Sequence, residues 1–206
     1  MSDRLPARLV LATGNAGKLR ELRAILAPWH VEALPLSDFT DSTAEENGES
    51  FVENAILKAR FAAEAAGLPA IADDSGLEVD ALGGAPGIRS ARYAGEGAGD
   101  AANNAKLLRE LEAVPDAGRG ARYRCAMAYV RRPDDPAPVV CQAGWEGRIT
   151  RVPCGSGGFG YDPLFVVAGT ERTAAEFPSE EKNRASHRGQ ALRALVAALG
   201  GDEHAP

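Results

Sequence analysis

Two adjacent carboxylates, Asp73 and Asp74, are the most suggestive pair of residues in this sequence, and Ser75 and Gly76 follow them directly. Residues 70–72 are apolar, which predicts that a buried strand ends just before the pair. Ligands bind at the rims of open α/β sheets, so the pair would lie where a site is expected. Adjacent carboxylates repel each other unless a cation compensates them, and Mg²⁺ prefers oxygen ligands. A solvated Asp-Asp-Ser-Gly turn accounts for the same residues equally well.

A second suggestive group is a short turn that consists of Thr13, Gly14, Asn15, Ala16, Gly17 and Lys18. An apolar strand signal at residues 8–12 precedes the turn, and apolar residues at helical spacing follow it at positions 19–26. Its glycines allow a close backbone approach, and N–H groups at a helix start attract anions. Its lysine adds positive charge, so the turn is suited to binding phosphate. A Walker A loop requires Ser or Thr directly after the lysine, and neither follows it here. The alternative interpretation is an ordinary turn with an exposed lysine.

Glycines and aromatic residues are mixed in a third segment, whose central residues are Phe159, Gly160, Tyr161 and Asp162. Aromatic rings offer flat surfaces on which a base can stack, and a carboxylate accepts hydrogen bonds from ring N–H groups. Near the start of the last predicted helix, Lys182, His187 and Arg188 add donors for the edge of a base. For His187 alone, a charged helix entry is the simpler interpretation.

The elements that would position these residues indicate an α/β fold. Strand and helix signals alternate in the first half of the chain, whereas residues 121–152 have antiparallel character. Ser50 and Glu53 form a capping box that predicts a helix ending near Ala66. Lys58 lies on that helix, where a surface lysine is the default interpretation. Asp100 is predicted to be the N-cap of a further helix.

The composition narrows the possible functions. The chain has 206 residues, 45% hydrophobic and 25% charged, as is ordinary for one large or two-lobed globular domain. Its net charge of −6 argues against a protein that binds nucleic acid through its surface field. No apolar run approaches the length of a membrane span, and the first eight residues lack an apolar signal core. The three cysteines are widely spaced and favour reduced thiols, so a cytoplasmic location is expected.

Six motifs, taken together and in order, resemble the inosine triphosphate pyrophosphatase family. They are TGNAGK (13–18), ENAILKA (53–59), ADDSGL (72–77), ALGGAPGIRSARYAG (81–95), GFGYDPLF (158–165) and EKNRASHR (181–188). Each motif is weak alone, but all six in the family's order are specific, and they cover the chain from Thr13 to about Leu195. The resemblance implies one two-lobed α/β/α domain over residues 1–206, with a long mixed central sheet. It also implies a homodimer and an active site in the cleft between the lobes.

The resemblance further implies a reaction and a role for each site residue. Deaminated purine nucleoside triphosphates (ITP, dITP and XTP) would be hydrolysed to the monophosphate and pyrophosphate, which keeps them out of DNA and RNA. Residues 13–18 and Lys58 would hold the triphosphate, and Ser75 would be a further substrate-binding residue. Glu45 and Asp74 would bind Mg²⁺, with Asp73 as an alternative ligand, and Asp74 would accept a proton from the attacking water. The base would be enclosed by Phe159, Gly160, Tyr161, Asp162, Lys182, His187 and Arg188.

Two other classes of function remain as alternatives. A Nudix enzyme needs a glutamate-rich REUxEE helix, and the sequence at residues 20–23 stops short of that pattern. A P-loop enzyme needs the Walker A loop that this chain lacks. A nucleotide sensor without catalysis could use the same residues, but binding a polyanion gains nothing from Asp73 and Asp74 without a metal ion.

Overall fold

The structure is a computed structural model that describes residues 5–200. The strands are β1 (Arg8–Leu11), β2 (Glu32–Pro35), β3 (Ala70–Val79), β4 (Gly120–Val130), β5 (Val139–Ile149) and β6 (Phe165–Val167). The helices are α1 (Ala16–Leu26), α2 (Phe51–Ala66), α3 (Asp100–Glu110), α4 (Ser179–Ala185) and α5 (His187–Ala198). In the described residues, no helix is long and apolar enough to cross a membrane.

The six strands form one mixed sheet in the order β2-β1-β3-β4-β5-β6. β1 pairs in parallel with β2 and with β3, and β5 pairs antiparallel with β6. Parallel neighbours need a crossover connection, which α1 supplies between β1 and β2. The predicted α/β fold with a mixed sheet is therefore confirmed.

The acidic pair does not lie where the sequence placed it. β3 continues through Asp73 and Asp74 to Val79, so the predicted strand end before Asp73 is wrong. The solvated-turn alternative is wrong too, because Asp73 is 1% and Asp74 6% exposed. The physical reason is that Leu77 and Val79 pack into a core, while nearby cations compensate the carboxylates, and this overrides the local turn preference of the sequence.

The chain divides into two compact units. Unit 1 contains the described residues up to Asp74, together with Cys125–Ala143 and the residues from Arg188 onward. Unit 2 contains Ser75–Arg124 and Gly144–His187. β3, β4 and β5 each contribute residues to both units.

Unit 1 has helices on both faces of its part of the sheet. Leu9 and Leu11 of β1 pack in one cluster with residues of α1 and α5, whereas Val10 packs in another with α2. The α2 side is built from small buried residues: Ala55, Ala59, Ala62 and Ala63. Small residues let a helix approach a sheet closely, which brings Lys58 of α2 to Asp74 of β3.

Unit 2 has a single core that is richer in aromatic residues. Leu77 and Val79 of β3 pack there with Leu107 of α3, Trp145 of β5 and Phe165 of β6. A fully buried arginine secures the end of α3. The Arg119 guanidinium donates to the carbonyls of Leu111 (2.6 Å) and Ile149 (2.8 Å), which satisfies the buried charge with backbone acceptors.

Candidate active site

The turn at residues 13–18 joins β1 to α1, as the sequence predicts. Its side chains organise the turn itself: Thr13 Oγ1 accepts from the Asn15 N–H at 3.1 Å, and Asn15 Oδ1 accepts from the Lys18 N–H at 3.0 Å. Asn15 is therefore the N-cap of α1. Gly14, Asn15 and Ala16 are exposed, which leaves the start of the helix accessible to an anion.

The register of β1 and β3 explains why this turn meets the acidic pair. Leu11 lies opposite Ile71, and the Ala12 N–H donates to the Ile71 carbonyl at 2.8 Å. Because the strands are parallel, the residues that follow in each strand lie at the same end. Lys18 Nζ accordingly lies 3.0 Å from Asp73 Oδ2. Lys18 is thus half-buried and paired with a buried carboxylate, so the exposed-lysine alternative is wrong.

Asp73 has a second cationic partner in Arg188. The Arg188 Nε and Nη2 atoms both lie 3.2 Å from Asp73 Oδ2, and its Nη1 lies 2.6 Å from Glu21 Oε2. Arg188 is only 3% exposed. Burial works to lower the pKa of Arg188, but the charges of Asp73 and Glu21 outweigh it and raise the pKa above its ordinary value.

Asp74 is held by Lys58, whose Nζ lies 2.6 Å from Asp74 Oδ1 and 3.1 Å from Glu46 Oε1. Burial raises the pKa of Asp74 above its ordinary value, although the Lys58 charge opposes that effect. Burial also works to lower the pKa of Lys58, but Asp74, Asp73 and Glu46 outweigh it and raise that pKa. Lys58 is therefore charged at neutral pH, and the carboxylate beside it is a stronger base than an ordinary aspartate.

Two acidic residues that the sequence reasoning missed belong to this cluster in unit 1. Glu46, not its neighbour Glu45, contacts Lys58, and Glu45 is exposed. Glu21 lies three residues after Lys18, on the same side of α1. That spacing was a signal that could have found Glu21.

The predicted metal ligands are not assembled into one set. In residues 5–200, no group of three or more His, Cys, Asp or Glu residues is placed to hold a metal ion. Asp74 and Glu46 do converge on one cation, the Lys58 ammonium. The cluster sets four carboxylates (Glu21, Glu46, Asp73 and Asp74) against three cations (Lys18, Lys58 and Arg188), a net charge of −1.

The second group of predicted residues is centred on Asp162 in unit 2. The buried Asp162 carboxylate accepts from Lys182 Nζ at 2.5 Å, from the Tyr123 hydroxyl at 3.1 Å and from the Phe159 N–H at 2.9 Å. Gly158 has a φ of +71°, and a Cβ there would collide with the same carboxylate. The glycine is therefore required where the backbone wraps around Asp162.

The aromatic residues of this segment differ in how accessible they are. Phe159 is half-buried, and Lys182 Nζ lies 4.8 Å from its ring centroid. Tyr161 is buried in the core of unit 2, and its hydroxyl donates to the Ser90 carbonyl at 2.8 Å. The His187 ring stacks on Tyr123, with centroids 4.6 Å apart. Phe159 is thus the better placed of the two predicted stacking rings.

Two predicted residues are each the first residue of a chain segment that belongs to one of the units. Ser75 is half-buried and is the first residue of unit 2. The sequence grouped Arg188 with Lys182 and His187, but Arg188 belongs to unit 1 and its guanidinium contacts Asp73 and Glu21 there. Position in the sequence did not show this, because His187 and Arg188 are adjacent at the start of α5.

Comparison with known proteins supports a common origin over nearly the whole chain. The profile of the Ham1 family matches residues 9–198. A dITP/XTP pyrophosphatase from Thioalkalivibrio sulfidiphilus is 61% identical over 194 residues, which cover 94% of this chain and 99% of that protein. One of the same name from Escherichia coli is 55% identical over 192 residues, covering 93% and 98%.

A solved structure agrees with the fold. A HAM1 protein from Coxiella burnetii superposes with a TM-score of 0.85 at 49% identity, covering 94% of this chain and 98% of that one. The resemblance found in the six motifs is thereby confirmed at the level of the family. The chain belongs to the Ham1 family.

Proposed function

We propose that this protein hydrolyses deaminated purine nucleoside triphosphates (ITP, dITP and XTP) to the monophosphate and pyrophosphate. The observation that carries the proposal is the buried acidic pair beside the start of α1, where Lys18 contacts Asp73 and Lys58 contacts Asp74. The names of the relatives from Thioalkalivibrio sulfidiphilus and Escherichia coli include two of these substrates, dITP and XTP. The reaction would remove these nucleotides before a polymerase incorporates them into DNA or RNA.

The triphosphate is assigned to the cluster in unit 1. The exposed start of α1 and the Lys18 ammonium offer the N–H groups and the point charge that phosphates bind. Lys58 adds a second cation on α2. With a net charge of −1, however, the cluster as a whole does not attract a polyanion.

A divalent cation resolves this difficulty, and we assign Mg²⁺ to it. Asp74 and Glu46 fit the ion because both offer the carboxylate oxygens that Mg²⁺ prefers, and both lie close to Lys58, so the ion would bind beside the ammonium and not in its place. Mg²⁺ in nucleotide enzymes is bound by one or two carboxylates together with substrate phosphates, so a complete protein cage is not needed. Asp73 and Glu45 remain further predicted ligands. When bound, the ion would supply charge neutralisation for the leaving pyrophosphate.

Asp74 is assigned the role of general base. A base works best when its pKa lies near the working pH, and burial moves the pKa of Asp74 in that direction. Lys58 holds one oxygen of the carboxylate at 2.6 Å, and the Asn54 Nδ2 lies 3.4 Å from the other. These contacts fix the orientation in which the carboxylate receives a proton from water.

The base of the nucleotide is assigned to the cluster in unit 2. The Phe159 ring would stack on the purine, while Lys182 and His187 would donate to the oxygen at purine position 6. Adenine carries an amino group there, so a buried donor is left unpaired and the wrong base binds more weakly. The resemblance also assigns Arg188 and Asp162 to the base, and it includes Ser75 among the substrate-binding residues.

Three further proposals concern the domain organisation, the oligomeric state and the location of the protein. We propose one domain over residues 1–206, a homodimer and a cytoplasmic location. The three cysteines are all free in the structure, which fits a reducing compartment. Light scattering on the purified protein would measure the oligomeric state.

The experiment that tests the function measures pyrophosphate release from ITP, XTP, GTP and ATP, with Mg²⁺ and with excess EDTA. We expect release from ITP and XTP far above that from GTP and ATP, and none in EDTA. Asp74→Asn is the matched control for contaminating hydrolases. Equal rates for ITP and ATP would overturn the function, and binding of ITP without any turnover would favour a nucleotide sensor.

A further inference from the structure

Two side chains of α3 hold the residue next to Phe159. The Gly160 N–H donates to Asp100 Oδ2 at 2.6 Å, and the Gly160 carbonyl accepts from Asn104 Nδ2 at 3.0 Å. Asp100 and Asn104 are four residues apart, so they lie one turn apart on the same side of the helix. Both polar backbone groups of Gly160 are thus bound by α3 within unit 2.

Asp100 does not have the role that its sequence position suggests. The sequence predicts it as the N-cap of α3, but the N-cap is Gly99, which makes no side-chain capping bond. Asp100 is the first helical residue, and its carboxylate is directed to Gly160. The prediction is wrong because a contact with a distant loop replaced the local one.

Asn104 supports the same interpretation. Its Oδ1 atom is buried and has no hydrogen-bond partner within residues 5–200. Buried polar atoms are normally paired, and an unpaired one is destabilising. The unpaired Asn104 oxygen therefore lowers stability. The hydrogen bond that the Asn104 amide does make is the one from Nδ2 to the Gly160 carbonyl.

The backbone on the other side of Phe159 is fixed as well. The Phe159 N–H donates to Asp162 Oδ2 at 2.9 Å, and Asp162 is itself held by Tyr123 and Lys182. Hydrogen bonds therefore secure the chain at Phe159 and at Gly160. An aromatic ring that is fixed before a ligand arrives binds it without losing further conformational freedom.

We propose that Asp100 and Asn104 are positioning residues for base recognition: by holding Gly160, they fix the Phe159 ring in the orientation that stacks on the purine. The inference rests on the proposed function. Neither residue touches the substrate in this assignment, since both act through the backbone of the loop.

The test compares Asp100→Ala and Asn104→Ala with the wild type. We expect each variant to raise KM for ITP by about five-fold, the value of one hydrogen bond, and to keep kcat within about two-fold. The inhibition constant of inorganic tripolyphosphate, which has no base, stays unchanged. Asp100→Asn keeps an acceptor for the Gly160 N–H, so its KM should lie between those of Asp100→Ala and the wild type.

A matched control separates the loop from the helix. Asp100→Ala also removes an acidic residue from the first turn of α3, which weakens the helix. The double variant Asp100→Ala/Ala101→Glu returns a carboxylate to that turn at an exposed position, away from Gly160. We expect its KM to stay raised.

If the wild type hydrolyses ITP, three results would overturn the inference. They are recovery of the wild-type KM in the double variant, an unchanged KM in both single variants, and an equal weakening of tripolyphosphate binding. A wild-type protein that does not hydrolyse ITP at all is a different result, because it removes the proposed function itself.

Discussion

The two charged clusters of this protein are built in different ways. In unit 1, Lys18, Lys58 and Arg188 interleave with four carboxylates, and the set is left with one negative charge. In unit 2, a single buried pair, Lys182 with Asp162, is surrounded by aromatic rings and backbone bonds. Together with a metal ion, a network of opposite charges suits a polyanion, whereas aromatic rings with a few donors suit a base. Changes in unit 1 should therefore affect all nucleotides alike, and changes in unit 2 should affect the choice among them.

Asp74→Asn should have the largest effect. The variant keeps the size of the side chain but loses the charge that accepts a proton, so kcat should fall by about 100-fold or more. The fall should be the same for ITP and XTP, since the residue belongs to unit 1. The measurement is kcat for both substrates, with circular dichroism to confirm the fold. A kcat near that of the wild type would exclude Asp74 as the base.

Lys182→Met tests unit 2 and should come next in size. Methionine keeps the length of the chain and removes the donor, so the preference for ITP over ATP in kcat/KM should narrow by about ten-fold. Lys106→Met is the matched control, because Lys106 also lies over a ring in unit 2, that of Tyr93, at 4.2 Å. A preference that narrows equally in both variants would contradict the assignment.

Lys18→Ala should lower kcat/KM for every substrate by a similar factor. Lysine binds phosphate as a point charge and does not distinguish among bases. We expect kcat/KM to fall by about ten-fold for ITP, XTP and ATP alike. Arg20→Ala, at an exposed position on the same helix, is the control and should change little. If Lys18→Ala changed the order of preferred bases, unit 1 would also contribute to base selection, and the distinction between the units would be wrong.

The sequence predicted the strand, turn and helix around Lys18 because glycine spacing and apolar periodicity are local signals. It failed at Asp73 and Asp74, where a turn composition lies inside a ten-residue strand. It also failed for Asp100, whose carboxylate binds a residue 60 positions away. In both cases partners that are distant in sequence decide the outcome, and no short motif encodes them.

The pH dependence of kcat/KM tests the ion pair between Lys58 and Asp74, and the expected effect is smaller. The ionised carboxylate is the base, so kcat/KM should fall as the pH drops through the pKa of Asp74. Because burial raises that pKa, the fall should begin at higher pH than for an ordinary aspartate. Lys58→Met removes a charge that lowers the pKa, so the acid limb of the pH profile should move to still higher pH. A shift toward lower pH would exclude this coupling.

Arg188→Ala should affect stability more than catalysis. It leaves Asp73 and Glu21, whose side chains are 0% and 12% exposed, without the guanidinium between them. Removing one partner of a buried ion pair typically lowers the free energy of unfolding by about 3 kcal/mol or more. Arg8→Ala is the control, because its pair with Glu32 is exposed and should contribute less than about 1 kcal/mol. Urea denaturation measures the free energy of unfolding of both variants. An equal decrease in the two would contradict the prediction.

The Arg188 variant also tests an assignment on which the sequence and the structure differ. The resemblance assigns Arg188 to the base, while its contacts in the structure are with the carboxylates of unit 1. The ratio of kcat/KM for ITP and ATP separates these roles. A narrowed ratio in Arg188→Ala would show that the guanidinium reads the base. An unchanged ratio, together with the loss of stability, would assign Arg188 to holding Asp73, and base selection would then rest with Lys182 and His187.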